Sequence, residues 1–263
     1  EAICIVDDDN FVDHRYVETA HDLIFRHPQI GVIGAQGLPL FANDSDVPDW
    51  FELFKGVYAV GHQFSERGFT YGDRNFFWGA GSVFRKSAWV RALQNGFVPL
   101  LNPSRGSSEN SFMPGFTGGE DPEMCFAVQM AGYKLWYEPD LTYHHLIPAA
   151  RLTEKFIYDT TRNVHVVEPY LRLFLSYIIP NQGFRNRLRI IIWQHWCLHM
   201  AYIILSSTKR LIVTSSASHE RKIRMRFIII CAQSQISGLL NMYPRFKSLK
   251  KNFKKISIKM GET

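Results

Sequence analysis

The sequence predicts an α/β fold for the first part of the chain and a mainly helical extension for the rest. Residues 2–150 alternate short apolar runs with helical patterns, which is typical of α/β domains. Residues 151–263 show helical patterns with few Gly or Pro. Of the 263 residues, 46% are hydrophobic, which allows a sizeable core and excludes a largely disordered chain. We therefore expect two domains, 1–150 and 151–263.

Apolar runs and turn residues place the elements of the first domain in order. The expected strands are Ile3–Val6, Gly31–Gln36, Phe76–Phe84 and a bent terminal strand made of Lys134–Tyr137 and Leu141–His144. The expected helices are His14–Arg26, Pro48–Val60 and Pro122–Ala131. Residues 99–118 are rich in Pro, Ser, Asn and Gly and predict a long loop. Because the chain opens on a strand-like run, we also expect further sequence before Glu1.

Charge and cysteine are distributed unevenly along the chain. From Lys209 onward there are 13 Lys and Arg against 2 Asp and Glu, although the net charge of the whole chain is only +6. Such a basic end predicts contact with an anionic partner. The four cysteines form no Cys-x-x-Cys pair. We interpret them as reduced, mostly buried thiols of a cytoplasmic protein.

The first chemical motif is Asp7-Asp8-Asp9-Asn10, directly after the first apolar strand. Open α/β sheets bind ligands at the carboxyl ends of their strands. Two carboxylates one residue apart can hold a hard divalent cation that also contacts a diphosphate. The alternative is an acidic turn in which Asp and Asn bind backbone amides.

The second motif is Gly118-Gly119-Glu120-Asp121-Pro122-Glu123, where the long loop meets a helix. Asp121 before Pro122 is a suitable helix N-cap, which is the structural alternative for this residue. The functional hypothesis places Glu120 and Asp121 in a cleft. One would bind an acceptor sugar hydroxyl, and the other would take its proton as general base.

The third motif is Tyr143-His144-His145 at the end of the terminal strand. A neutral imidazole is a common ligand of divalent metals. A histidine pair at a strand end is also a common packed or solvated element, so the motif gains its meaning from its place after the two acidic motifs.

Together these motifs resemble family 2 glycosyltransferases of the GT-A fold. The similarity rests on Asp7-Asp8-Asp9 after a strand, Trp78-Gly79-Ala80-Gly81 in a loop, Gly119-Glu120-Asp121-Pro122-Glu123 at a helix start, and a histidine about two dozen residues later. The stretch AGYKLWYEP after that helix is similar too. The resemblance covers residues 2–150 and implies a partial GT-A, Rossmann-like mixed sheet.

The resemblance also implies roles for individual residues. Asp9 would ligate Mg²⁺ or Mn²⁺, and Asp7 would lie near the metal or, with Asp8, near the nucleotide. His144 would be a further metal ligand, with His145 as the second choice. The remaining implied roles concern the two sugars: Asp121 as the base, Glu120 to orient the acceptor, and Trp78 with Gly79 and Gly81 to line the donor-sugar site.

The activity that this implies is inverting, metal-assisted hexosyl transfer from a nucleotide-sugar to a glycan or lipid-linked acceptor, as in polysaccharide biosynthesis. The family's opening half is not seen before Asp7, so we expect the 263-residue chain by itself to be inactive. Some members carry a Gln-x-x-Arg-Trp motif for polymer synthesis. Here Gln182-Gly183-Phe184-Arg185-Asn186 has Asn186 in place of the Trp, which speaks against a processive synthase.

Two other classes of function compete with this interpretation. One is a phosphatase or phosphotransferase that uses Asp-x-Asp after a strand, although Phe11 stands where that class usually has Thr or Val. The other is a non-catalytic module that binds sugar or membrane.

The carboxyl-terminal segment predicts a peripheral membrane attachment. An apolar stripe at helical spacing consists of Phe246, Leu249, Phe253, Ile256 and Met260. Six lysines surround it: Lys247, Lys250, Lys251, Lys254, Lys255 and Lys259. Such a helix suits an anionic lipid surface, and a frayed solvated helix is the alternative. No aromatic platform for nucleic acid accompanies the charge. We expect a cytoplasmic protein at the inner face of the membrane, with no nucleic-acid partner.

Overall fold

The computed structural model of the chain forms two compact units. It describes residues 1–42, 46–72, 75–101, 118–180, 183–214 and 219–261. The first unit consists of Glu1–Val98, Glu120–Thr153 and Lys259–Thr263. The second consists of Pro99–Gly119 and Glu154–Ile258. The main division thus follows Thr153, and most of the segment 99–118, expected to be a loop, lies outside the described residues.

A mixed sheet forms the centre of the first unit. Its described strands are β1 (Ala2–Cys4), β2 (Asn10–Val12), β3 (Ile30–Phe41), β4 (Gly68–Phe69), β5 (Val83–Arg85) and β6 (Lys134–Ile147). Their order is β1-β5-β3-β6-β2, and β4 also pairs with β6. The long central pair β3–β6 is parallel, whereas the other pairs are antiparallel. This confirms the expected mixed α/β sheet.

The prediction of a strand over Phe76–Phe84 was wrong for most of its length. Only Val83 and Phe84 belong to β5. The residues before them turn instead, since Ser82 N–H donates to the Gly79 carbonyl over 2.9 Å and Gly81 has a left-handed φ of 68°. An apolar run with two glycines satisfied the strand pattern, but glycine at these positions permits a turn.

Four helices flank the sheet in the described part of the first unit. They are α1 (Tyr16–Arg26), α2 (Phe51–Phe54), α3 (Lys86–Gln94) and α4 (Glu120–Met130), with one-turn 3₁₀ helices at Lys55–Tyr58 and Ala149–Arg151. The helix expected over Pro48–Val60 is therefore a short α-helix followed by a 3₁₀ turn. On α1, Tyr16, Ala20 and Ile24 recur every four residues and are buried against β3 and β6, because this spacing puts them on one face.

The second unit is helical, as the sequence predicts. Its helices are α5 (Glu154–Val166), α6 (Glu168–Leu175), α7 (Phe184–Gln194), α8 (Trp196–Thr214), α9 (His219–Met242) and α10 (Phe246–Gly261), with a 3₁₀ turn at Tyr243–Arg245. Within the described ranges, no one helix is long and apolar enough to cross a membrane. By length and composition, α7 and α8 up to Leu211 qualify only as a pair, bent by 111°.

The expectation that the apolar stripe of α10 is free to enter lipid was wrong. Phe246, Leu249, Phe253 and Ile256 are all buried within the second unit. The ring of Phe253 stacks on Phe174 with centroids 4.5 Å apart. The stripe therefore belongs to a protein core, and the side chain of Met260 lies outside the described part of the chain.

The cysteines are free thiols, but not mostly buried ones. Cys125 and Cys231 are buried, whereas Cys4 and Cys197 are exposed. Cys4 lies on β1, whose three residues are all exposed. The expectation of a buried Cys4 was wrong because β1 lies at the edge of the sheet. A short apolar run alone does not show whether a strand is central or at an edge.

Candidate active site

The acidic segment after β1 is held to the sheet by backbone hydrogen bonds. Ile5 N–H donates to the Ser82 carbonyl over 2.9 Å, and Gly81 N–H donates to the Ile5 carbonyl over 3.0 Å. Beyond Ile5 the chain turns, because Asn10 N–H donates to the Asp7 carbonyl and Asn10 Nδ2–H to Asp7 Oδ2, over 3.1 and 3.2 Å. The turn-forming role considered for this motif thus applies to Asp7 and Asn10.

Asp9 differs from its two neighbours in the motif. Asp7 and Asp8 are exposed, whereas Asp9 is partly buried. Its Oδ2 atom lies 2.8 Å from Arg151 Nη1 and 3.3 Å from His145 Nε2. The two nitrogens are themselves 3.3 Å apart. Asp9, His145 and Arg151 therefore form a three-membered cluster at the ends of β2 and β6.

Strand register decides which histidine faces Asp9. Asn10 is paired with His145 in the β2–β6 ladder, and Leu146 N–H donates to the Asp9 carbonyl over 2.8 Å. Since side chains alternate between the faces of a strand, His144 points to the other face, where it is exposed. The structure thus brings His145, and not His144, to the carboxylate of Asp9.

The imidazole of His145 is held in one tautomer by the backbone. Its Nδ1 lies 2.7 Å from the carbonyl oxygen of Tyr58. A carbonyl oxygen only accepts, so Nδ1 carries the hydrogen and, in the neutral ring, Nε2 carries the lone pair. That lone pair faces the carboxylate of Asp9, whose Oδ2 atom lies 3.3 Å from Nε2.

The loop Trp78–Ser82 contacts both the acidic segment and α4 by hydrogen bonds. Trp78 N–H donates to Gln63 Oε1 over 2.9 Å, and Ser82 Oγ–H donates to the Trp78 carbonyl over 2.5 Å. The hydroxyl of Tyr16 donates to the Gly81 carbonyl. A Cβ on Gly81 would lie 2.5 Å from a ring carbon of Tyr143, so this loop has no room for a side chain at that glycine.

Asp121 contacts this loop directly. It is the second residue of α4, which begins at Glu120, so the N-cap position expected for it was wrong. The backbone N–H of Gly79 donates to its carboxylate. The pKa of Asp121 is raised to about 7, chiefly by burial and in addition by the negative charges of Glu120 and Asp7, whereas the Gly79 hydrogen bond opposes the rise. Asp121 therefore lies close enough to Asp7 to sense its charge.

Glu120 has a carboxylate oxygen that no described residue contacts by a hydrogen bond. Its Oε2 atom is buried and accepts no hydrogen bond from the described residues. A buried acceptor of this kind is costly unless a ligand or water meets it. Glu120 is therefore suited to accept a hydrogen bond from a ligand hydroxyl beside Asp121.

The Asp9–His145 pair fits a divalent cation as an incomplete ligand set. Carboxylate oxygen and imidazole nitrogen are suitable ligands for Mg²⁺ or Mn²⁺. In the part of the chain that the structure describes, no group of three or more His, Cys, Asp or Glu could hold a metal ion. A cation here would take its remaining ligands from phosphate and water, which is common for Mg²⁺.

Sequence reasoning missed three residues of this site. Arg151 and Gln63 contribute side chains, and Tyr58 contributes its carbonyl oxygen. The only sequence signal for Arg151 is a basic residue after Pro148, six positions beyond His145. Nothing in the sequence near Gln63 or Tyr58 marks them, because their contacts depend on how a loop returns to the sheet.

Comparison with known proteins shows the family of the chain. A search among curated proteins gives no match. The model of the family described as glycosyl transferase family group 2 matches residues 2–231, which includes the site and much of the helical unit. The match therefore extends well beyond the residues that carry the sequence resemblance. The mixed sheet with its helical extension is a partial GT-A-like fold, and the chain belongs to glycosyltransferase family 2.

Proposed function

We propose that the chain transfers a hexosyl group from a nucleotide-sugar to an acceptor hydroxyl, with inversion and with the help of a divalent cation. The observation that carries this proposal is the environment of Asp121. Its carboxylate is fixed by the Gly79 N–H, and its pKa is raised to about 7. A carboxylate with a pKa near the working pH is well suited to act as general base.

The reaction is a single displacement. Asp121 accepts the proton of the acceptor hydroxyl as its oxygen bonds to the anomeric carbon. The bond between that carbon and the donor diphosphate breaks at the same time, and its electron pair leaves on the phosphate oxygen. Attack opposite the leaving group inverts the anomeric configuration, and no covalent enzyme intermediate forms.

The other site residues position the two substrates. Glu120, whose Oε2 has no hydrogen-bond partner among the described residues, accepts a hydrogen bond from a second acceptor hydroxyl. Trp78, Gly79 and Gly81 line the donor-sugar site, where glycines allow a close approach of the backbone. Asp7 and Asp8 are exposed and face the nucleotide.

Asp9 and His145 hold the divalent cation in this proposal. When bound, the cation offsets the negative charge that develops on the leaving diphosphate. His145 replaces His144 as the preferred ligand because only its ring nitrogen faces Asp9. The lone pair of Nε2 is kept available by the contact of Nδ1 with the Tyr58 carbonyl.

The test is donor turnover by the full-length protein and by its variant Asp121→Asn. Nucleoside diphosphate release is measured with Mn²⁺ over a panel of nucleotide-sugars. The matched control is Asp22→Asn, since Asp22 is exposed on α1 and pairs there with His21 and Arg26. We expect turnover in the wild type and the control, but not in Asp121→Asn. Release of phosphate from simple phosphomonoesters, without nucleotide-sugar turnover, would contradict the proposal.

We also propose a place for the enzyme, at the cytoplasmic face of an anionic membrane, where it meets a glycan or lipid-linked acceptor of polysaccharide biosynthesis. The support is the surface of the second unit. Four lysines of α10 are exposed, namely Lys247, Lys251, Lys254 and Lys255. Apolar side chains on α7 and α8 are exposed too, with Phe184 at 80% and Leu205 at 70%. Exposed lysines suit lipid headgroups, and exposed apolar side chains suit the adjoining acyl region.

A further inference from the structure

We propose that Arg151 occupies the cation place in the free enzyme, and that it turns onto the donor diphosphate when a divalent cation binds Asp9 and His145. This inference rests on the cation site of the proposed function. It assigns Arg151 a positioning role, and it makes cation and donor binding depend on one side chain.

The first argument is the place of the guanidinium. Arg151 Nη1 lies 2.8 Å from Asp9 Oδ2 and 3.3 Å from His145 Nε2. With the His145 ring neutral, both partners are acceptors, because Nδ1 faces a carbonyl and leaves Nε2 with the lone pair. Without a positive donor between them, the lone pairs of these two atoms would repel each other at 3.3 Å. Arg151 therefore supplies the positive charge that this pair of atoms needs.

The second argument is that two cations cannot share this place. A bond from Mg²⁺ to oxygen is about 2.1 Å long. Arg151 Nη1 lies 2.8 Å from Asp9 Oδ2 and 3.3 Å from His145 Nε2, so a cation held by these two atoms would have a positively charged group as its direct neighbour. Like charges at such a distance repel strongly where water is partly excluded. Binding of the cation therefore requires the guanidinium to leave.

The third argument is that the side chain of Arg151 can move while its backbone stays. The residue ends the one-turn helix after β6, where its N–H donates to the Pro148 carbonyl over 2.9 Å. Its own carbonyl accepts the hydroxyl of Tyr58 over 2.9 Å. The side chain, in contrast, is 39% exposed. Turning it toward solvent costs no buried contact of the backbone.

The new position follows from chemistry. A guanidinium always carries its charge and can donate two parallel hydrogen bonds to a phosphate group. The diphosphate of the donor is the anion that the proposed function brings to this cation site. Released from Asp9, Arg151 is close enough to take part in holding this leaving group.

The alternative is an ordinary ion pair that fixes the segment after β6 to the acidic turn. Such a pair would contribute stability and nothing else. The two interpretations predict opposite changes in cation affinity when Arg151 is removed. A structural pair predicts weaker cation binding, because the site would become disordered. Our proposal predicts tighter binding of the cation alone and weaker binding of diphosphate.

The experiment measures Mn²⁺ binding by calorimetry or electron paramagnetic resonance, without nucleotide. Wild type, Arg151→Gln and Arg67→Gln are compared as the full 263-residue chain. Arg67 is the matched control because it also pairs with carboxylates, those of Glu138 and Asp140, but lies outside the site. Pyrophosphate is then titrated at saturating Mn²⁺, and thermal unfolding checks that all three proteins fold.

We expect Arg151→Gln to bind Mn²⁺ roughly tenfold more tightly than wild type, and pyrophosphate roughly tenfold more weakly, as loss of a charge-assisted contact implies. Arg67→Gln should match wild type in both. Equal or weaker Mn²⁺ binding by a folded Arg151→Gln overturns the inference but leaves the cation site standing. Absence of Mn²⁺ binding in wild type and Arg151→Gln alike overturns both.

Discussion

The backbone N–H of Gly79 donates a hydrogen bond to the carboxylate of Asp121, and no side chain could stand between them. A Cβ on Gly79 would lie 2.2 Å from Asp121 Oδ1. This contact ties the loop that begins at Trp78 to the first turn of α4. It fixes the proposed base with a donor that cannot titrate or rotate away.

Replacing Gly79 by Ala should therefore disturb Asp121 directly. We expect a loss of activity of about 10²-fold, since small displacements of a catalytic group have effects of that order. Unfolding free energy should fall by about 1–3 kcal/mol through overpacking. Gly56→Ala is the control, because a Cβ there meets only Trp78 Cζ2 at an ordinary 3.7 Å. Turnover assays and thermal unfolding measure both effects, and equal behaviour of the two variants would count against the contact.

Asp121→Asn separates catalysis from structure. Asn can still accept the Gly79 hydrogen bond, but it cannot accept the proton. We expect the rate to fall by roughly 10²–10⁴, the usual contribution of a general base. For the wild type, kcat/KM should rise with pH through about 7, the pKa of Asp121. A rate in Asp121→Asn within a fewfold of wild type would exclude Asp121 as the base.

The same variant gives a stability test with a definite sign. The pKa of Asp121 is about 7 in the folded protein, against a usual value of 3.8. Between these values the folded chain binds a proton that the unfolded chain has lost, so the stability present at low pH is lost as pH rises through about 7. Denaturant unfolding from pH 4 to pH 8 should show this decline in wild type and a smaller one in Asp121→Asn. Parallel curves would mean that Asp121 has an ordinary pKa.

The two histidines of the third motif should behave differently. His145→Ala removes the nitrogen that faces Asp9, so we expect Mn²⁺ affinity to fall at least about tenfold. His144→Ala is the matched control, because His144 is exposed on the opposite face of β6. Mn²⁺ titrations of both variants decide the point. A larger loss in His144→Ala would contradict the register of β2 and β6.

This pair shows where sequence reasoning ends. The order of acidic motif, glycine loop, acidic helix start and histidines can be read from the chain, because each follows a recognisable strand or loop. The face of the strand on which His144 lies cannot be read from the sequence, since a shift of register by one residue exchanges the two faces of a strand. Only the pairing of Asn10 with His145 settles which ring reaches Asp9.

Contacts made by segments that turn back onto the sheet could not be predicted from the sequence either. Arg151 reaches Asp9 because the chain turns after Pro148, and no local pattern encodes the direction of that turn.

The stripe on α10 illustrates another limit. A helix that packs in a core and one that lies on lipid share the same amphipathic period, so Phe253 could be assigned only by its neighbours Phe174 and Tyr170.

The last prediction concerns that helix and separates its two faces. Changing the exposed lysines Lys247, Lys251, Lys254 and Lys255 to Gln should abolish flotation of the protein with anionic vesicles at low salt, without loss of fold. Each lysine near such a surface contributes about 1 kcal/mol. Phe253→Ala should instead lower the unfolding free energy by about 3–5 kcal/mol, since the ring is buried against Phe174. If the wild type also fails to float with anionic vesicles, while remaining folded, the lysine face of α10 is a solvated surface and the membrane proposal falls.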